Sequence, residues 1–356
     1  NRFSINEHNK INYAFHLDAG RYASFLRARS ESRGVKRVEG KIASVQQNSD
    51  TGFITSLKLE SGQEIAGDLF IDCTGMRGIL IEQCLQTGFE EWGHWLPCDS
   101  AIAVQTESHE PAVPYTKSIA HHAGWRWQIP LQHRVGNGIV FSSPYLSNDE
   151  ATNMLLSSMQ GKVLTEPRVI KFKTGRRKKS WNKNCIAMGL ASGFLEPLES
   201  TSIHMIMTAV TRLLQLFPHD EIRQSIVDEY NTQAESEYVR IRDFIILHYK
   251  ATERDDSPFW RYCKNMEIPA DLKHRMNLFK EFGRSNQVEG ELFRLDSWTQ
   301  VMLGQGILPS SHHPIVELMP EQELQHFLSG IATDVDKNIA MMSTHHEFIT
   351  KYCDIK

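Results

Sequence analysis

The stretch that most constrains this chain is residues 185–203. Cys185-Ile186-Ala187-Met188 reads as a buried strand, and it enters the small-residue turn Gly189-Leu190-Ala191-Ser192-Gly193. The chain continues through Phe194-Leu195-Glu196-Pro197-Leu198-Glu199 to Ser200-Thr201-Ser202-Ile203. The three hydroxyls suit a helix N-terminus, and Ile203, Met207, Val210, Leu214 and Phe217 then recur at helical spacing up to Pro218. Such a segment aims free backbone N–H groups, and the positive end of the helix dipole, at whatever lies before the helix. An anion or an electron-rich ring edge suits that position. The same residues also read as a plain N-cap, with Glu199 compensating the dipole; Glu196 and Glu199, three apart around a proline, are a weak catalytic pair.

The rest of the chain suggests an α/β beginning, a β-rich middle and a helical end. Residues 18–29 predict an amphipathic helix capped by Asp18, with Tyr22, Phe25 and Leu26 on its apolar face. Residues 41–45 and 53–59 predict strands, with a hairpin turn at Ser61-Gly62. The apolar run 68–73 suits a central strand buried on both faces, ending at a sharp turn at Thr74-Gly75. Trp125, Trp127 and Ile129 alternate with Arg126 and Gln128 before Pro130; residues 134–138 look like a turn and 139–141 like a returning strand. Arg176-Arg177-Lys178-Lys179 reads as a solvated turn between strands. Helices are expected over 221–249, 270–282, 297–303, 321–326 and 331–352.

Composition removes several classes. At 356 residues, 40% hydrophobic, 23% charged and a net charge of −4, the chain is neither generally disordered nor marked for nucleic acid. No stretch approaches the ~18 uncharged apolar residues of a membrane helix. Six scattered cysteines point to free thiols in a reducing cytoplasm. The histidine pairs at 121–122, 312–313 and 345–346 have no metal-ligand spacing, so no metal site is expected. Two tryptophans at i and i+2 share a strand face and make a rigid aromatic wall, and Asp72-Cys73-Thr74-Gly75-Met76-Arg77-Gly78 is a strand-end turn suited to a nucleotide.

Together and in this order, these segments resemble the flavin-dependent tryptophan halogenases. Gly-Trp-Arg-Trp-Gln-Ile-Pro at 124–130 matches that family's G-W-x-W-x-I-P signature. Residues 194–201 resemble its flavin and halide loop, and residues 69–78 its central strand and turn. His94-Trp95-Leu96-Pro97-Cys98-Asp99 and Arg254-Asp255-Asp256-Ser257-Pro258-Phe259-Trp260 are two further family-like stretches, so the resemblance spans essentially the whole chain. It implies an α/β fold: a partial flavin monooxygenase-like module (1–202) with a mostly helical part over the substrate (203–356). The implied reaction uses FAD, reduced by a separate flavin reductase, and O2 to form a flavin hydroperoxide. Halide attacks it, and hypohalous acid then reaches an electron-rich carbon of an indole-type substrate.

Carried over residue by residue, the resemblance assigns halide to the amides of Thr201 and Ser202. It assigns the flavin to Leu190, the Ile203 amide and the wall of Trp125 and Trp127, and the adenine to Ile42. Glu199 is implied as the catalytic carboxylate that stabilises and deprotonates the arenium cation. Phe293 or Trp298 would stack on the indole, or pack in the core.

Three departures qualify this. The family's G-x-G-x-x-G fingerprint and its catalytic lysine have no counterpart in this sequence, which begins Asn1-Arg2-Phe3. The expectation is a missing upstream part, and a chain that alone neither holds FAD well nor halogenates. Ser202 stands where members acting on free tryptophan carry glycine, a strained position for serine if φ is positive there. Residues 290–298 lack the family's tyrosine pair, so an indole-like substrate other than free tryptophan is expected. A flavin-dependent aromatic hydroxylase and a non-catalytic aromatic-binding fragment are the alternatives. A monomer or homodimer, without membrane or nucleic-acid partners, completes the expectation.

Overall fold

A computed structural model describes residues 13–353; the opening Asn1-Arg2-Phe3 lies outside them. Asp18 accepts hydrogen bonds from the amides of Gly20 and Arg21 and so starts α1 (Ala19–Glu31), as its sequence predicts. The strands β1 (Ile42–Gln47), β2 (Ile54–Leu59) and β3 (Glu64–Ala66) form an antiparallel meander. Next come β4 (Phe70–Asp72), β5 (Phe89–Glu91), β6 (Ser100–Thr106), β7 (Lys117–His121), β8 (Gly124–Pro130) and β9 (Val135–Phe141). After α2 (Asn148–Ser157) come β10 (Arg168–Lys171), β11 (Gly175–Arg177), β12 (Trp181–Asn182), β13 (Cys185–Ala187) and β14 (Gly193–Phe194). The remainder is helical: α3 (Ser202–Gln215), α4 (Gln224–Lys250), α5 (Pro258–Asn265), α6 (Ala270–Phe282), α7 (Leu295–Gly304), α8 (Glu321–Met341) and α9 (His345–Tyr352).

The largest sheet is antiparallel, in the order β10-β6-β9-β8-β7. Its β8–β9 register sets Trp127 opposite Gly138, where a Cβ would lie 2.0 Å from the indole Cζ2; only glycine leaves room for that ring. The main core joins this sheet to the helices. Trp92, Leu96, Trp125 and Val140 pack with Phe244, Ile245 and Tyr249 of α4, Phe259 and Trp260 of α5, Leu272 and Phe279 of α6 and Trp298 of α7. Burying one such side chain fully contributes on the order of 1.5–3 kcal/mol, and α4 places Tyr238, Ile241, Phe244, Ile245, Ile246, Leu247 and Tyr249 in this core.

Several expectations need correcting. The run 68–73 is not a central strand buried on both faces. Only 70–72 is strand, it lies at the edge of the order β12-β13-β4, paired in parallel with β13, and Ile71 is 49% exposed. The basic run is not a solvated turn, because Arg176 and Arg177 are buried in β11 and only Lys178 and Lys179 face solvent. Arg176 pairs with Glu90 and Glu235; Arg177 pairs with Glu82 and donates to the carbonyls of Ala191 and Met76. A charge enters a core when carboxylates and carbonyls meet most of its donors, although the Arg176 Nε stays buried without a partner among the described residues.

The turn expected at 134–138 is shorter, because Val135 already belongs to β9 and the Leu131 amide bonds the Arg134 carbonyl. Helical spacing finds α3, but the face it singles out (Ile203, Met207, Val210, Leu214, Phe217) is exposed; Leu213 is buried and Met205, Ala209 and Leu216 half-buried instead. Tyr22, Phe25 and Leu26 of α1 are likewise exposed. The helices expected at 321–326 and 331–352 are α8 without interruption to Met341 and then α9, which Thr344 starts with a capping box to Glu347.

Candidate functional site

The site grows out of β13. Gly189 takes φ +59°, a left-handed conformation that glycine adopts without strain, and turns the chain away from the strand. The chain then re-pairs briefly as β14 against Gly175 and Arg176. Glu196 follows, fully buried. Its Oε2 accepts from the Trp125 Nε1 at 2.9 Å and the Tyr249 hydroxyl at 2.6 Å, while its Oε1 is buried with no partner. Burial lifts this carboxyl from 4.5 to about 7, against the opposing pull of both hydrogen bonds and of His248. Beneath it, burial also drives the Tyr249 and Cys98 groups well above their ordinary values.

Pro197–Glu199 is one turn of 3₁₀ helix, and it delivers Glu199 to a different environment. The Glu199 side chain is 31% exposed, with Oε1 2.8 Å from the His248 Nε2. His248 Nδ1 lies 2.8 Å from the Phe244 carbonyl, one turn earlier on α4. A carbonyl only accepts, so Nδ1 donates in that contact and Nε2 faces Glu199. Next, Ser200 adopts φ +55°, an αL conformation that costs a non-glycine residue on the order of 1 kcal/mol. Thr201 is buried and caps α3 without a side-chain hydrogen bond, and Ser202 begins the helix. The strain expected at Ser202 is therefore absent: the positive φ falls two residues earlier. The Ser202 and Ile203 amides are in the first turn, where no intrahelical carbonyl reaches them.

The other sequence-predicted residues divide. Trp125 is buried with its indole N–H committed to Glu196, so it does not itself present a face to a ligand; the half-buried Trp127, its ring 5.9 Å away, remains available. Leu190 is exposed at the turn and borders a cavity of about 610 Å³ lined also by Phe89, Phe172 and Phe194. Ile42 packs on the small core of Ile54, Phe70 and Ile81, which also takes in Ala187 of β13 and Ala191 of the turn. Phe293 stacks on Phe244 at 3.9 Å between ring centres, and the Phe244 ring meets the His248 imidazole edge-on at 5.0 Å. Trp298 is a core residue, edge-on to Phe244 and covered by the Arg275 guanidinium at 4.1 Å. Phe293 and Trp298 both line a second cavity of about 400 Å³.

Sequence reasoning did not find His248, Tyr249 or Phe244. They lie about fifty residues beyond the loop, on a helix that reads as plain core, and no spacing links them to it. Glu196 was visible only as half of a glutamate pair.

Comparison with known proteins bears on this arrangement. The family model for tryptophan halogenases matches residues 1–321. The chain is 37% identical over 275 residues to the tryptophan 6-halogenase ThaL of Streptomyces albogriseolus, an alignment covering 76% of this chain and 51% of that protein. It is 30% identical over 360 residues to the tryptophan 7-halogenase RebH of Lentzea aerocolonigenes, covering 95% and 68%. Its match thus spans between about half and two thirds of these curated relatives. Among solved structures, a flavin-dependent halogenase from Xanthomonas campestris is 52% identical with a TM-score of 0.98, over 100% of this chain and 72% of that one. The flavin-dependent halogenase BrvH from Brevundimonas sp. BAL3 is 43% identical with a TM-score of 0.95, over 98% and 73%. The α/β fold described above is therefore that of flavin-dependent halogenases, and the chain belongs to the tryptophan halogenase family.

Proposed function

We propose that the protein takes part in flavin-dependent halogenation of an indole-type aromatic, with Glu199 as the catalytic carboxylate. The observation that carries this reading is the placement of Glu199, against His248 and directly before the Ser200-Thr201-Ser202 start of α3, in a chain of this family. The cavity beside Leu190 fits the ring of a flavin: its walls include Phe89, Phe172 and Phe194, with Lys171, Asp99 and a Lys173–Glu91 pair also in its lining. No G-x-G-x-x-G stands in this sequence to cradle a pyrophosphate, so the fit concerns the ring. When bound, reduced flavin supplies, with O2, the oxidising equivalent that converts halide to hypohalous acid.

The chain's own residues do the rest. The Thr201 and Ser202 amides and the dipole of α3 hold halide, and the Ile203 amide and Leu190 meet the flavin edge. Trp127, held by Gly138 beneath it and Trp125 behind it, separates flavin from organic substrate. Ile42 serves the adenine side. Glu199 faces the positive charge that develops on the ring when halogen adds, and accepts the ring proton that leaves. The ring's carbon–hydrogen bond breaks, its electron pair restores aromaticity, and the proton passes to the Glu199 oxygen. Phe293, linked to this carboxylate by the chain Phe244–His248–Glu199, serves to hold the indole, with buried Trp298 behind it in the same cavity wall. In this reading residues 1–202 carry the flavin side and 203–356 the substrate side, with a flavin reductase as partner.

The test supplies the full-length protein that carries this sequence with FAD, a flavin reductase and NADH, offers indole or tryptophan with bromide or chloride, and analyses products by mass. Halide-dependent monohalogenated indole is expected, in preference to halotryptophan. A halide-independent gain of one oxygen would make it a hydroxylase, and no flavin-dependent product would leave an aromatic-binding protein.

A further inference from the structure

The cavity of about 400 Å³ lined by Phe293 and Trp298 has an uneven charge. Two carboxylates line it, and both are already matched. Glu237 accepts from Arg212 at 2.8 Å and from the Thr208 hydroxyl at 2.6 Å, and Glu291 is held by Arg275 at 2.9 Å. Arg212 and Arg275 are themselves buried, so these pairs neutralise one another inside the wall. Two further guanidiniums line the same cavity. Arg240 donates only to the Glu289 carbonyl, and Arg294, exposed at the start of α7, meets no carboxylate among the described residues. The cavity thus holds two positive charges with no free negative one, beside an aromatic wall. His204, also in the lining, can only add to this sign. The Trp298 Nε1, buried without an acceptor, is a further donor left unmatched.

From this we infer that the substrate is an aromatic acid: a planar ring for the aromatic wall at Phe293, with buried Trp298 behind it, and a carboxylate, on a short arm, for Arg240 and Arg294. The inference deepens the proposed function by naming a substrate class for the same site, and it rests on that reading for the link to Glu199. The two carboxylates in the lining, Glu237 and Glu291, are already held by Arg212 and Arg275, so an α-ammonium group finds no unpaired one among the described residues and meets two like charges instead; amines and free amino acids are disfavoured relative to the corresponding acids. A guanidinium–carboxylate contact at a partly exposed site should be worth about tenfold in affinity.

The test is calorimetric titration of the protein, without flavin or halide, with indole-3-propionate, indole, tryptamine and tryptophan. Indole-3-propionate is expected to bind about tenfold more tightly than indole or tryptamine. Its affinity should fall with added salt, whereas that of indole should not. In the Arg240→Gln/Arg294→Gln double variant the advantage of the acid should disappear; the exposed single variant Arg294→Gln, which perturbs folding least, should remove part of it. Tryptamine binding as well as the acid, a salt-independent acid affinity, an unchanged preference in the variants, or no measurable acid binding would each overturn the inference. Halogenation of indole without acid preference would remove this inference and leave the proposed function. Acid-selective binding without halogenation would do the reverse.

Discussion

Glu196 and Glu199 are the same residue three positions apart, and the fold treats them as opposites. Glu196 is sealed in the core, with the Trp125 and Tyr249 donors on one oxygen and nothing on the other. At neutral pH it sits near its midpoint of about 7, and its proton belongs on the unmatched Oε1. Glu199 stands half open to solvent beside an imidazole. The intervening Pro197–Glu199 turn sends one side chain inward against β8 and α4 and the other to the mouth of α3. Two carboxylates in environments this different are suited to different work: one joins the Trp wall to α4, and the other is the one proposed to react.

The comparison breaks if the two residues prove interchangeable, and the largest expected difference is catalytic. Glu199→Gln keeps the shape but cannot take a ring proton. Aryl halide formation in the flavin-fed assay should fall by about a hundredfold or more, the scale of a lost general base, while hypohalous acid trapped by a thioether probe is unchanged. Thermal stability should move by less than about 0.5 kcal/mol, as expected for a partly exposed side chain. An undiminished aryl halide yield would remove Glu199 from the mechanism.

Glu196 should show the converse. Glu196→Ala strands the Trp125 N–H and the Tyr249 O–H in the core and should cost about 2–4 kcal/mol of stability, read by denaturant titration. The pH dependence has a definite sign. A carboxyl raised from 4.5 to about 7 on folding gives stability that is fully present below 4.5 and is lost as pH rises through about 7. The loss should approach about 3 kcal/mol. Glu196→Gln, neutral at every pH and still able to accept both hydrogen bonds, should flatten that fall. If the variant and the parent lose stability in parallel between pH 5 and 8, Glu196 does not hold the proton assigned to it.

His248 lies between these extremes, as a positioning residue. Without it Glu199 should lose its fixed orientation, so His248→Ala is expected to lower kcat for aryl halide about tenfold with little change in KM. His248→Gln, whose side-chain amide can still donate to Glu199, should recover part of the loss. A purely structural role would give equal losses for both and a matching fall in Tm.

How much of this was legible in the sequence follows from what periodicity can carry. β8 was readable because alternation and a terminal proline mark a half-buried strand, β9 only over 139–141 because its glycines at 136 and 138 read as turn, and α4 because its apolar residues recur over 27 positions. α3 was readable as a helix but not for its orientation: it is apolar on more than one side, so spacing alone could not say whether Leu213 or Leu214 faced the core. Arg176 and Arg177 were misread because charge runs usually solvate, and their partners Glu82, Glu90 and Glu235 come from distant segments. The site divides in the same way. The loop around Glu199 is contiguous, so its motif was visible; the Glu196–Tyr249 and Glu199–His248 pairs exist only once α4 packs across the loop.

The smallest expected effect tests whether local backbone strain helps to keep the two glutamates distinct. Ser200, at φ +55°, immediately follows Glu199. Ser200→Gly relieves on the order of 1 kcal/mol of αL strain but adds comparable freedom to the unfolded chain, so Tm should shift little. Ser200→Val, β-branched in the same conformation, should destabilise by about 1–2 kcal/mol. What separates this position from Glu196 is the product ratio. The glycine variant loosens the turn that aims Glu199, so aryl halide relative to trapped hypohalous acid should fall about two- to threefold at nearly constant stability. The Glu196 variants should instead lose stability, with the ratio held in whatever protein remains folded. If Ser200→Gly leaves the ratio intact, the orientation of Glu199 comes from His248 alone, and the strained turn has no part in it.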